Sequence, residues 1–397
     1  MERKIKILFL NTQFSFGGAS LIARTIFLNS LQEFESTLLY GYDNRGRKSK
    51  ETKINNVGNI STLISFIINK ISHKIFGIDI YTSRKTTLFK QIDNADIIHI
   101  HNIHTHFLNY GCLLKYLITT NKKIIWTIHD SWILTGRCAL PLQCENWKNK
   151  CDPCSFTDYY PGSLCDLAKL NFTRKQQLFS AITENNLIIV SPSEWLEENV
   201  RLSSLNRFRV TVIPNGIDLD VFQFKRKNFY TPVKVLFISN FVNDKVKSPE
   251  MFFRIVKECP HINFITIGRG AKTILPNLEH RGYLNSPIQI VNELHSATFL
   301  LFLSIFDNYS TVLLEALACG TPVVSFRGKS NEEILKDAGF IFNDNDVDAI
   351  INFFNELKIE SIKEILEGKV KKGRELVENR NSLQSMLEKY FSLYKAI

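Results

Sequence analysis

The sequence contains no uninterrupted apolar run of the roughly 18 residues that a membrane-crossing helix needs, anywhere along its 397 residues. Its first seven residues are charged and lead straight into a strand-like run, without the apolar stretch and small-residue cleavage site of a secretory signal. Short-period repeats and low-complexity tracts are also missing, so solenoid and disordered architectures are excluded. Acids are in deficit, 39 against 49 Lys and Arg, leaving a net charge of +10. These absences lead us to expect a cytoplasmic protein, with peripheral attachment to the inner face of the cytoplasmic membrane as its extension. What is present is ordinary for a folded chain: 44% hydrophobic and 22% charged residues, enough for sizeable cores in two or three domains.

The positive charge is concentrated. Residues 45–90 hold ten Lys or Arg against the two acids Glu51 and Asp79. Such a block suits an anionic membrane, a nucleic acid or another polyanion. Within it, residues 60–76 place apolar side chains at 60, 64, 67, 68, 71 and 75 with Lys70, His73 and Lys74 elsewhere, a helical spacing with a basic side. That helix either packs on its own domain or meets an anionic membrane surface. Aromatic residues are sparse in the block, which disfavours a nucleic-acid partner.

Strand and helix patterns alternate through the chain. Strands are expected at 4–10, 36–40, 96–100, 123–128, 186–191 and 210–213, and a second series at 233–239, 263–267, 298–303, 322–325 and 339–342. This rhythm predicts two mostly parallel, doubly wound sheets. The expected division is 1–192, 193–380 and a terminal helix 381–397 that returns to the first domain.

Chemistry concentrates in a few stretches. Residues 307–324, DNYSTVLLEALACGTPVV, read as the end of a strand, a turn with Asp307, and a helix carrying Glu315. Free N–H groups at a helix start, at the positive end of its dipole, form a phosphate site. A carboxylate such as Glu315 can accept hydrogen bonds from vicinal ribose hydroxyls. The plain alternative is an ordinary strand–helix unit with a solvated Glu. Residues 126–136, WTIHDSWILTG, place His129 and Asp130 at the carboxyl end of a parallel strand, where ligands of open sheets bind. Gly17-Gly18 follows the first strand but is not a full dinucleotide fingerprint. Cys138, Cys144, Cys151 and Cys154 cluster, yet only the last two have the spacing of a zinc knuckle. Structural zinc, free thiols and disulfides all remain open for them.

The 307–324 stretch resembles the nucleotide-binding signature of the family 4 retaining glycosyltransferases, in which two acids stand eight positions apart before a Gly-Thr-Pro-Val-Val turn. The His-Asp-x-Trp-x-x-Thr-Gly stretch and the cysteine-rich loop resemble a subgroup that builds exopolysaccharides and cell-surface glycans. The resemblance implies the α/β GT-B fold: two Rossmann-like domains facing across a cleft, with a C-terminal helix packing back on the first. It implies a hexosyltransferase moving a sugar from a nucleoside diphosphate, UDP or GDP, to a glycan or lipid-linked saccharide, without an obligatory catalytic metal. By resemblance Glu315 holds the donor ribose, and Asp307, which stands where Glu is commonest, lies by the sugar. The N–H groups of Ser310, Thr311 and Val312 bind the diphosphate, His129 lines the site near the transferred sugar, and Gly17 and Gly18 form the glycine loop. The family's clamping Arg is replaced by Asn240, so Lys245 or Lys247 supplies the cation, and we take Lys247, assuming a two-residue insertion. The four cysteines would hold a structural zinc. Three rivals are a nucleotide-sugar epimerase on the same fold, which would consume donor without acceptor, a basic zinc-knuckle protein binding nucleic acid, and an NAD-dependent oxidoreductase, which the incomplete glycine fingerprint disfavours.

Overall fold

The computed structural model describes residues 3–42, 56–227, 229 and 232–397. Arg45, Arg47, Lys48, Lys50, Glu51 and Lys53 of the basic block lie outside them.

Two parallel sheets account for the strands. The first holds β1 (Lys6–Gln13), β2 (Glu35–Tyr42), β3 (Val57–Asn59), β4 (Ile97–Ile100), β5 (Lys123–Thr127), β6 (Leu187–Ser191) and β7 (Arg209–Val212). The second holds β8 (Lys234–Phe241), β9 (Asn263–Arg269), β10 (Leu278–His280), β11 (Phe299–Phe302), β12 (Val323–Phe326) and β13 (Gly339–Phe342). Their orders are β3-β2-β1-β4-β5-β6-β7 and β10-β9-β8-β11-β12-β13. Helices cover parallel strands on both faces, so the strands read as continuous apolar runs. IIHI in β4, FLLF in β11 and VVSF in β12 are buried throughout. In each sheet the order reverses once, between β1 and β4 and between β8 and β11. At such a point neighbouring connections leave in opposite directions and open a crevice beyond the carboxyl ends of the strands.

The chain divides into two compact units, Met1–Ile213 with Leu387–Ile397, and Pro214–Met386. Residues 193–213, which the sequence reading gave to the second domain, therefore stay with the first, because β7 extends the first sheet through its pairing with β6. The terminal helix spans Leu383–Lys395 and joins the first unit from residue 387 rather than 381. It is tied there by Tyr390 Oη, 3.1 Å from Thr127 Oγ1, and by the Tyr394 hydroxyl on His99 Nδ1 at 2.8 Å.

The helix expected at 60–76 forms as Leu63–Phe76. Thr62 caps it: its hydroxyl accepts from Ser65 N, while the Thr62 N–H donates to Ser65 Oγ. Its faces run against the usual arrangement. Ser65, Asn69, Ser72 and His73 are buried, whereas Leu63, Ile64, Ile67 and Ile71 are 67%, 70%, 47% and 56% exposed. The buried polar groups are satisfied locally, as where Asn69 donates to Tyr81 O and accepts from Tyr81 N.

Candidate functional site

In the second unit, the end of β8 leads into the single turn Lys245–Lys247, and β11 leads into the 303–310 loop. These are the two strands at the reversal of that sheet. Lys247 Nζ lies 2.9 Å from Asp307 Oδ2, with both side chains about one quarter exposed. The turn is anchored by the Ser248 hydroxyl, which donates to Leu303 O, and by the Ser304 hydroxyl on Val246 O. Ser330 Oγ donates to the Asp307 carbonyl. Lys245 and Asn240, the other two residues considered for the cation position, are both exposed.

The helix Thr311–Ala318 begins directly after this pair. Ser310 stands at its N-cap with extended backbone, and its side chain makes no capping hydrogen bond. The first N–H groups, from Thr311 and Val312 on, therefore lack the side-chain acceptor that most helix starts supply. Glu315 is half-buried rather than solvent-facing, and burial pushes its carboxyl up to about 8 against a weaker opposing hydrogen bond from Thr311. Gly320 ends the helix with φ +75°, where a Cβ would stand 2.8 Å from the Phe224 ring, so both conformation and space demand glycine. Helix-start N–H groups, a cation and a sheltered carboxyl thus follow the carboxyl ends of the adjacent strands β8 and β11.

In the first unit, the reversal lies between β1 and β4. Gly17 caps the helix Gly18–Ser30 with φ +89°, a conformation that favours glycine, while a Cβ on either Gly17 or Gly18 would meet open space. Histidines dominate the neighbouring strand ends. His129, just past β5, places Nε2 2.9 Å from His101 Nδ1, and the two rings stack. His99 Nε2 is 2.8 Å from Thr127 Oγ1. Burial pushes His129 down to about 4, against the opposing Asp130 carboxylate, and His99 down to about 3, with the His129 imidazole adding to the effect on His99. His129 is therefore a neutral imidazole at physiological pH, able to donate or accept one hydrogen bond but not to act as a cation. Asp130 is the charged member. Burial alone would raise its carboxyl, but His104, 2.8 Å away, and the Trp132 N–H hold it below the ordinary range.

The rest of the Trp-x-x-Thr-Gly motif serves the scaffold. Lys175 is buried, its ammonium donating to Trp132 O and Thr135 O while lying 3.5 Å from the Trp132 ring centroid. Gly136 packs on the Ala168 backbone, where a Cβ could not fit. Sequence reading passed over Lys175, His101 and His104. The first gives no local signal, but three histidines at 99, 101 and 104 around one strand end were a visible one.

The cysteine loop departs from expectation. All of its cysteines are reduced, and among the described residues no three of the sulfurs of Cys138, Cys144, Cys151 and Cys154 lie within 4.8 Å of one another, so the donors do not assemble as a tetrahedral zinc site. The loop is instead organised around buried Arg137. Its guanidinium donates to Tyr159 O, Phe156 O and Pro161 O and lies 3.7 Å from Cys154 Sγ. The Cys138 thiol hydrogen-bonds Cys154, which lowers Cys154 and raises Cys138. Cys151 Sγ accepts from the Gly136 N–H at 3.1 Å.

The family model described as Glycosyltransferase Family 4 matches residues 66–221, and that described as Glycosyl transferases group 1 matches residues 232–357. The chain is 24% identical over 351 residues to the putative colanic acid biosynthesis glycosyl transferase WcaC of Escherichia coli (strain K12), covering 84% of this chain and 86% of that one. Among solved structures it is similar to sucrose-phosphate synthase from Thermosynechococcus elongatus (TM-score 0.68, 13% identity, 99% of both chains). Anabaena HepE in complex with UDP is equally similar, with TM-score 0.68 and 13% identity over 99% of this chain and 100% of that one. With two family models covering successive parts of the chain and the likeness to WcaC extending over most of it, the chain is a glycosyltransferase of the GT-B fold.

Proposed function

We propose that the enzyme is a retaining transferase that moves a sugar from a nucleoside diphosphate to a hydroxyl of a glycan or lipid-linked saccharide during surface polysaccharide synthesis. The observation that carries the donor assignment is the Lys247–Asp307 pair, 2.9 Å apart at the strand-order reversal, beside the uncapped start of the helix Thr311–Ala318. In this reading Lys247 exchanges its carboxylate for the donor diphosphate, and the helix N–H groups bind the phosphate oxygens. Glu315 receives the ribose hydroxyls, and Asp307, released from the lysine, faces the sugar. HepE, a structural neighbour, was solved with UDP-glucose, which supports a UDP-sugar as the first donor to try.

The step breaks the bond between the anomeric carbon and the β-phosphate oxygen. The acceptor oxygen forms its new bond on the same face, and its proton passes to the departing phosphate. The charge on the leaving diphosphate is met by Lys247 and the helix dipole. His129, neutral and half-buried, positions a sugar hydroxyl by hydrogen bonding rather than by charge. NMR of the product's anomeric proton tests the stereochemistry. The donor's own configuration is expected, and an inverted product would overturn this mechanism.

The inverted amphipathicity of Leu63–Phe76 supports a membrane-borne acceptor. Leu63, Ile64, Ile67 and Ile71 are exposed beside the exposed Lys70 and Lys74. Leu164, whose N–H donates to Lys74 O, adds another side chain at 68% exposure. An apolar face flanked by lysines fits the boundary of an anionic leaflet, where each lysine contributes about 1 kcal/mol. Flotation with anionic vesicles should recover the protein, and Ile67→Glu with Ile71→Glu should abolish recovery. Equal recovery with neutral vesicles, or no effect of the substitutions, would remove the membrane from the account.

A further inference from the structure

The buried face of the same helix holds a group of donors that sugar transfer does not use. His73 lies in the last turn of Leu63–Phe76, Gly77 ends the helix in the left-handed region, and the chain doubles back to place Asp79 beside His73. The loop after β4 brings in His106. Asp79 Oδ2 accepts the Phe107 N–H at 3.0 Å, which fixes the carboxylate and leaves Oδ1 facing inward. His73 Nδ1 is 3.0 Å from that oxygen and His106 Nδ1 is 4.0 Å from it. One donor atom from each residue lies within 4.8 Å of the others, and among the described residues no other trio of His, Cys, Asp or Glu does so.

The decisive atom is His106 Nδ1. It is buried and has no hydrogen-bond partner among the described residues. It faces Asp79 Oδ1 across 4.0 Å, a gap that one ion ligated by both atoms would fill, since ligand distances of about 2.0–2.2 Å set two donors on one ion at most about 4.4 Å apart. The rings of His73 and His106 meet edge to face at 87°, and one nitrogen of each lies within 4.8 Å of the other.

We propose that His73, Asp79 and His106 bind one divalent transition-metal ion, for which zinc is the best match. Zinc takes imidazole and carboxylate ligands at about 2.0–2.2 Å, which places tetrahedral donors about 3.4 Å apart; the observed 3.0 and 4.0 Å bracket that value. One ligand already has an outer partner, the Phe107 N–H on Asp79, as ligating groups usually do. The fourth position is left to water. Exposed Lys70 opposes a cation weakly, through solvent. Such an ion would fasten the polar face of the helix to the 101–109 loop, which also carries His104.

The test uses the full-length chain stripped with chelator, titrated with ZnCl2 and, separately, CoCl2. One equivalent of zinc should bind. His106→Ala should weaken it by at least roughly 100-fold, and zinc should raise the Tm of the wild type but not of that variant. The double variant Cys138→Ser with Cys154→Ser should bind like the wild type. Cobalt bound to the wild type should give ligand-field bands without thiolate charge transfer, a readout independent of whether any variant folds. No saturable binding, unchanged binding in His106→Ala, loss confined to the cysteine variant, or a thiolate band would each overturn the proposal.

Discussion

Lys247 and Asp307 form an ion pair about one quarter exposed in the free chain, and solvent-accessible pairs contribute about 0–1 kcal/mol to stability. Lys247→Ala should therefore leave the Tm nearly unchanged. Its effect on donor affinity should be much larger, because a charged hydrogen bond to phosphate contributes about 1.5–3 kcal/mol. A large loss of Tm with no change in affinity would make the lysine structural. Glu315 behaves differently. Its carboxyl titrates near 8 in the folded chain, against 4.5 ordinarily, because burial disfavours the charged form. Between these values the folded state holds a proton that the unfolded state has released, so stability falls as pH rises from about 4.5 to 8. Glu315→Gln removes that penalty. Thermal melts should show the variant stabilised at pH 9, by on the order of 2 kcal/mol, and unchanged at pH 4. A gain at pH 4 as large as at pH 9 would contradict this. Glu315→Ala, lacking any acceptor for the ribose, should lower nucleotide affinity by about 1.5–3 kcal/mol.

Elements with one dominant period were legible in the sequence. The strands from β4 to β6, with β11 and β12, declare themselves as short apolar runs because both of their faces are buried. β3 and β10 went unread: each has three residues at a sheet edge, VGN and LEH, with no apolar alternation. The helix Leu63–Phe76 was legible as a helix, but not in its orientation. Periodicity reports which residues share a face and not which face meets the core. Here Thr62, Ser65, Asn69 and Ser72 find local hydrogen bonds that make the polar side the buried one. The cysteine loop shows the limit of spacing. Four cysteines within residues 138–154 suggested a metal site, yet what fills the loop's centre is Arg137, a residue whose burial no local pattern announces. Arg137→Ala should accordingly cost roughly 2–4 kcal/mol, since it leaves the buried Pro161 carbonyl and the partly buried Tyr159 and Phe156 carbonyls without their donor. An Arg137→Ala melt matching the wild type would show that the loop needs no such centre.

At the scale of the whole molecule, the two units should respond to pH in opposite directions. His99, His101 and His129 are all pushed down by burial in the first unit. Below their ordinary 6.5 the unfolded chain takes up protons that the folded unit refuses, so the first unit loses stability as pH falls from 6.5 toward 4. Glu315 acts on the second unit in the alkaline range. Melts followed across pH should therefore resolve acid-sensitive and alkali-sensitive transitions, and a single transition with one common pH profile would contradict this. The proposed donor site could be read from the sequence because its acids and glycine lie on one continuous stretch, and its lysine follows the neighbouring strand. The histidine array was less legible because it is assembled from β4, β5 and the C-terminal helix. The central claim is that the second unit binds a nucleoside-diphosphate sugar through Lys247 and the start of the helix Thr311–Ala318. Calorimetric titration with UDP-, GDP- and ADP-sugars, on wild type and Lys247→Ala side by side, tests it most directly. The account predicts one saturable donor whose affinity drops about 10- to 100-fold in the variant, whereas equal affinity in the two proteins, or no binding of any donor, would contradict it.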